Sequence, residues 1–241
     1  MPADGVAAVS GFAISATGLR KTFGKGAARV AALKGVDLRL RAGELTLLMG
    51  PSGSGKSTLV AALGGLQRPD EGEVLALDEA IWRRKGGALT AFRRRHCGFV
   101  FQSVGLFPSL TALEQIMIPL TYIGFDRTAA RKLALQALDE VGLAGRETSR
   151  PGEMSGGENQ RVAIARMIAK EPRLIFCDEP TSSLDRDNGA LVAALLHRAA
   201  KDHNAMVLCV THDDRLVPHA DRVIEMEDGH LKTDSERTQM S

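Results

Sequence analysis

An α/β fold built on a parallel sheet is the fold class this sequence predicts, and three observations predict it. Short apolar runs alternate with helical patterns along the chain, a complete phosphate-binding pattern follows one of those runs, and another ends in two adjacent acids, Asp178 and Glu179. Strands alternating with helices are the rhythm of βαβ winding. With 241 residues, 44% hydrophobic and 25% charged, the chain can bury a sizeable core as one large domain or a domain with a subdomain.

In chain order, residues 1–11, rich in Ala and Gly, read as a loose end. Residues 45–49, Leu-Thr-Leu-Leu-Met, read as a buried strand. Gly50, Pro51, Ser52, Gly53, Ser54, Gly55, Lys56, Ser57 then match without substitution the pattern of two glycines, four residues between them, followed by Lys and Ser. Residues 57–66 read as the helix that this pattern requires. Glycines let the backbone curl so that successive N–H groups point inward, and the helix turns its positive dipole end to the same place, so a polyphosphate meets ready donors. In such a loop Lys56 pairs with the β- and γ-phosphates and Ser57 ligates magnesium. A glycine-rich turn before an ordinary helix is the alternative, and the strand–loop–helix context weighs against it.

Further strands are expected at 98–101, 174–177, 206–210 and 222–226. Between about 103 and 166 the rhythm changes: residues 129–141 and the stretch after Gly157 have helical apolar spacing with no clear strand between them, which predicts a helical insertion. No internal repeat or Pro- or Ser-rich linker divides the chain, so a single domain is expected over 12–232, with a polar loose tail from Thr233.

A net charge of +2 and a pI near 8.5 make no bulk electrostatic case for nucleic acid. Arg93, Arg94 and Arg95, with Arg83, Arg84 and Lys85 nearby, read as a solvated face rather than an anion site. Cys97, Cys177 and Cys209 share no metal spacing and read as small buried hydrophobes in a reducing cytoplasm. The apolar stretches fall far short of the ~20 residues that a membrane span needs, and no signal peptide is evident. Any membrane association must come through another chain.

Asp178 and Glu179 close the run Leu174, Ile175, Phe176, Cys177. A strand ending in Asp is the usual partner of a phosphate loop, because its carboxylate can hold hydrated magnesium from the opposite side. A second acid beside a phosphate is costly, and magnesium compensates only part of the charge. Glu179 is therefore the candidate general base that orients or polarises the attacking water. An exposed acid at a strand end, ahead of the Pro180, Thr181 turn, is the alternative.

Met154, Ser155, Gly156, Gly157, Glu158, Asn159, Gln160, Arg161 is similar to the signature of the ATP-binding cassette (ABC) ATPases, and nearly the whole chain resembles the nucleotide-binding subunit of an ABC transporter. Met154 replaces the usual Leu and Glu158 the usual Gln. Ser155 with Glu158 three residues on is also a capping box opening a helix, and the two readings are compatible. The resemblance implies a P-loop NTPase (RecA-like) core with a parallel sheet, an antiparallel β-subdomain and a helical signature subdomain. It also implies ATP and Mg2+ as cofactors, with Ser155, Gly156 and Gly157 facing the γ-phosphate held by a second subunit.

The remaining family elements follow in order. Gln102 resembles the glutamine that senses magnesium and the attacking water, although a lone Gln after a strand means little. Ser183, Leu184, Asp185 resemble the dimer-contact loop, and His212 the switch histidine on the γ-phosphate; alone, His212 reads equally as a helix cap or surface residue. Phe23 stands where an aromatic, usually Tyr, stacks on adenine, with Val30 as a second base contact, although an aromatic in an early strand is often core. The implied sets are Glu179, His212 and Gln102 for catalysis, and Ser57, Gln102 and Asp178 for the metal. For nucleotide they are Phe23, Val30, Gly50, Ser52, Gly53, Ser54, Gly55, Lys56, Ser57, Thr58, Ser155, Gly156, Gly157 and Asp185.

As partners the resemblance implies ATP, a second copy on ATP binding, and an integral membrane permease gripped near Gln102 to Leu113, with Leu106, Phe107 and Pro108 forming an exposed docking groove. It places the chain peripherally on the cytoplasmic face of the inner membrane. ABC ATPases of DNA repair or translation carry coiled-coil insertions or a second cassette, and this chain has neither. A kinase or GTPase needs no such signature, and a guanine-reading Asn-Lys-x-Asp is absent. The wording of 65–72, 111–120 and 155–166 is closest to the lipoprotein-releasing and macrolide-efflux branch, with an importer cassette as the alternative.

Overall fold

The computed structural model describes residues 11–182 and 184–236; most of the expected loose N-terminus, the last five residues and Ser183 lie outside them. The strands are β1 (Ile14–Phe23), β2 (Val30–Leu40), β3 (Leu45–Met49), β4 (Glu71–Ala76), β5 (Glu79–Ala80), β6 (Cys97–Phe101), β7 (Leu174–Asp178), β8 (Met206–Val210), β9 (Arg222–Glu227) and β10 (His230–Glu236). The helices are α1 (Lys56–Leu63), α2 (Ala88–His96), α3 (Ala112–Tyr122), α4 (Arg127–Glu140), α5 (Gly156–Ile168) and α6 (Arg186–Asp202).

Two sheets form. Strands β10-β9-β3-β8-β7-β6 make one, parallel from β9 to β6 with β10 antiparallel at its edge, and β2-β1-β4-β5 make a smaller antiparallel sheet. The central strands are apolar apart from Thr46 in β3 and the terminal Asp178 of β7, because both faces are covered. Leu45, Leu47, Ile175, Cys177, Val207 and Cys209 pack toward α3 to α6, while Leu48, Leu174, Phe176, Met206, Leu208 and Val210 pack toward α1 and the antiparallel sheet. Side chains alternate sides along a strand, so one apolar run feeds two cores. Strands β3, β7 and β8 thereby present their C-terminal ends along one edge, where the phosphate loop, Asp178 with Glu179, and His212 lie.

The helical insertion consists of α3, α4 and α5 and reaches Ile168, two residues past the expected end. Helix α1 stops at Leu63, short of residue 66, because Gly64 and Gly65 follow, and Gly65 adopts a φ of 71°. The tail is corrected from Thr233: residues 233–236 belong to β10, an edge strand polar in sequence yet held by the Arg222 fork on Asp234 at 2.6 and 2.5 Å and by Ser235 Oγ donating to Val223 O.

The arginine run is not a uniform solvated face. Arg93 donates to Gly65 O at 2.6 Å and Arg94 lies 4.9 Å over the Tyr122 ring, while Arg95 borders a cleft of about 830 Å³ with Lys170 and Arg173. All three cysteines are free and buried, and burial pushes the Cys97 thiol up to about 12, which leaves it inert.

Candidate functional site

The loop between β3 and α1 is shaped by what its backbone must approach. Gly50 has a φ of 136°, and a Cβ there would stand 2.0 Å from Met226 O, so no other residue fits. Gly55 precedes α1 without a side-chain cap, as Gly87 does α2, whereas α3, α4, α5 and α6 begin on capping Thr111, Asp126, Ser155 and Asp185. The first N–H groups of α1 are therefore left to an anion. Lys56 Nζ donates to Gly50 O at 2.7 Å and Pro51 O at 2.8 Å. Its burial lowers the ammonium pKa, and the fields of Glu179 and Asp178 oppose that shift.

A cavity of about 380 Å³ joins this loop to several of the expected partners, with His212 and Val30 outside its lining. Phe23, Ser52, Gly53, Gly55, Lys56, Ser57, Thr58, Gln102, Asp178 and Glu179 line it, together with Ala32 and Val210, which sequence reasoning did not single out. Phe23 and Val30 are register partners at the hairpin end of the β1–β2 pair, beside its connecting loop, 40% and 64% exposed, so Phe23 is not core. Gly50 and Ser54 shape the loop from behind, Ser54 being buried.

Glu179 sits at the strand end with φ 52°, a left-handed conformation that strains a residue with a Cβ by roughly 1 kcal/mol. Its N–H donates to Val210 O at 2.9 Å, which fixes the turn against β8. His212 Nδ1 lies 2.8 Å from Glu179 Oε1, while Oε2 is buried with no hydrogen-bond partner among the described residues. One carboxylate oxygen is thus oriented and the other is left to accept.

Ser155, Gly156, Gly157 and Asp185 do not line this cavity. The capping box forms, with Ser155 Oγ accepting from Glu158 N at 3.2 Å and Glu158 Oε2 accepting from Ser155 N at 2.8 Å. Gly157 is buried, and a Cβ there would meet Asn188 at 2.4 Å, so this glycine lets α5 and the start of α6 touch. Asp185 is exposed and caps α6 through Asn188 N at 2.8 Å.

Behind His212, Asp213 accepts from Thr181 Oγ1 at 2.7 Å and from the Arg215 guanidinium. Burial raises the Asp213 pKa, but the bonds from Arg215 and Thr181 outweigh it and bring the carboxyl to about 2. The stability that this group contributes is full above its unfolded pKa, near 4, and is lost as pH falls from about 4 to about 2. Asp213→Asn should accordingly flatten the acid limb of a plot of melting temperature against pH; an unchanged limb would show that these bonds add nothing.

Comparison with known proteins agrees with this geometry. The ABC transporter family profile matches residues 33–182. The lipoprotein-releasing system ATP-binding protein LolD of Syntrophotalea carbinolica is 44% identical over 218 residues, 90% of this chain and 96% of that protein. HrtA of Staphylococcus haemolyticus, named for hemin import, is 42% identical over 214 residues, 89% of this chain and 96% of its own. The dimeric post-hydrolysis structure of the ATP-binding cassette MJ0796 with ADP and Pi matches at a TM-score of 0.86 and 35% identity, covering 94% of this chain and 100% of that one. Loop, strand-end acids and signature helix occur here in one chain that matches these cassettes over nearly its full length, and it belongs to the ABC transporter family as an ATP-binding ATPase subunit.

Proposed function

We propose that the chain is the motor of a lipoprotein-release or envelope-type transporter, working as an ATP-sandwiched homodimer on a separate permease at the cytoplasmic face of the inner membrane. One observation supports the dimer: the cradle holds Lys56, Asp178 and Glu179, whereas the signature N-terminus at Ser155 and Gly157 lies off it, where the nucleotide of a second copy would reach it. Each ATP would then lie between Lys56, Ser57, Gln102, Asp178, Glu179 and His212 of one protomer and Ser155 and Gly157 of the other.

The donor set fits Mg2+. Ser57, Gln102 and Asp178 offer hard oxygens on one cavity, and no three His, Cys, Asp or Glu side chains form a metal cage among the described residues, which suits an ion held largely by substrate phosphates. Bound there, Mg2+ would offset charge on the transferring phosphoryl group. Lys56 and the first N–H groups of α1 bind the phosphates. His212 holds Glu179 Oε1, and the Glu179 carboxylate on the cavity wall would accept the proton of the attacking water. Export is favoured over import by the likeness to LolD, although the hemin-named relative carries the same motor.

No helix among the described residues is long and apolar enough to cross a membrane. For docking, Phe107 is 59% exposed and Pro108 is exposed, in a loop held by Gln115, which accepts from Phe107 N and donates to Phe107 O. Leu106 is half-buried and packs against the helical core. Ile118, Tyr122 and Phe125 extend the exposed apolar surface along and beyond α3.

Co-expression with a four-span permease bearing a large extracytoplasmic domain tests this reading. The cassette should co-purify, and Phe107→Asp should cut the retained amount by about tenfold, the loss of ~1.4 kcal/mol of contact, without altering basal ATP turnover. Pairing only with a six-span importer permease would overturn the subfamily assignment.

A further inference from the structure

Arg215 ties together two loops that flank the hydrolytic pair. Its Nε donates to Asp213 Oδ1 and Oδ2 at 2.7 and 3.0 Å, its Nη2 lies 2.7 Å from Asp213 Oδ2, and its Nη1 donates to the Asp185 carbonyl at 3.0 Å. Asp213 follows His212 directly and also accepts from Thr181, two residues beyond Glu179. A Cβ on Gly189 would stand 2.9 Å from the guanidinium, so glycine at this point of α6 is what admits the fork.

Asp185 is held from its other side as well. Asn188 Nδ2 donates to Asp185 Oδ2 at 2.8 Å, and Asn188 Oδ1 accepts from Arg161 Nη1 of the signature helix at 2.6 Å. A continuous hydrogen-bonded path therefore runs from α5 through Asn188, Asp185, Arg215 and Asp213 to the turn that bears His212. Arg215 itself does not line the nucleotide cavity. Its contacts use the planar guanidinium on two loops at once, which fixes their relative position as a point charge cannot.

We propose that Arg215 is a positioning residue for hydrolysis: it holds the Asp185 loop against the His212 turn, so that docking of a second copy on α5 and Asp185 sets the His212–Glu179 pair of the same protomer. Hydrolysis at one ATP is thereby coupled to occupancy of the other. The inference rests on the dimer reading above.

The test compares the ATP dependence of turnover in the full chain with the Arg215→Gln and Arg215→Lys variants. Wild type should hydrolyse ATP with a Hill coefficient above one. Both variants should fall to one and lose about tenfold in maximal turnover, while affinity for a fluorescent ATP analogue stays at the wild-type value; the melting midpoint falls in both as Asp213 loses its partner, so the Hill coefficient and not the midpoint reads the positioning role. A role confined to folding would lower the melting midpoint and leave the Hill coefficient unchanged. Restoration of cooperativity by Arg215→Lys, cooperativity retained in Arg215→Gln, or a non-cooperative wild type would each overturn the proposal. A wild-type chain that never dimerises in ATP would instead overturn the reading it rests on.

Discussion

Glu179→Gln should lower ATP turnover by about a hundredfold to ten-thousandfold while leaving ATP affinity nearly unchanged, the span expected when a positioned general base is lost. Gln keeps the shape and one acceptor but cannot take a proton from water. The left-handed turn and the bond from Glu179 N to Val210 O depend on the backbone, and both survive the exchange. His212 Nδ1 keeps an oxygen to bond at the Oε1 position. Phosphate release measured at saturating ATP, with nucleotide binding measured separately, checks this. Turnover near the wild-type rate would remove Glu179 from the role of base.

Lys56→Ala should act on the other half of the reaction, weakening ATP binding by about tenfold to a hundredfold. Charge-assisted hydrogen bonds contribute about 1.5–3 kcal/mol, and each 1.4 kcal/mol is one decade of affinity. The ammonium already stands inside the loop on Gly50 O and Pro51 O. It therefore needs only a short reorientation to reach a phosphate. Titration calorimetry with a slowly hydrolysed ATP analogue reads the loss, and unchanged affinity would count against the phosphate-loop assignment.

The nucleotide half of the site was legible because its determinants are local. A glycine pattern bounded by an apolar strand and a helix needs no tertiary knowledge, and β3 and β8 fall on their expected residues because both are short, largely apolar runs between turns. The antiparallel sheet was expected only from family likeness, and its strands were not located. Register shifts between β1 and β2 break the alternation that would have marked them. β10 escaped because an edge strand can be polar on both faces, and its anchor, Arg222 on Asp234, is a tertiary fact.

Asp185 shows the limit most clearly. Sequence placed it in a dimer-contact loop, and the structure makes it the N-cap of α6 held by Asn188 and Arg215. The Arg161–Asn188 contact bridges residues 27 apart, and Arg215 reaches across 30, so neither could be seen in a local pattern. Gly157 was read as a phosphate donor, and its close approach to Asn188 is a second reason for glycine there.

The central claim, that each ATP is enclosed by two copies of this chain, is tested most directly by the solution mass of the Glu179→Gln chain in ATP and Mg2+, measured by sedimentation velocity. The expected result is a dimer with ATP, holding one nucleotide per chain, and a monomer without it. A chain that binds one ATP per copy and remains monomeric at saturating nucleotide contradicts the account.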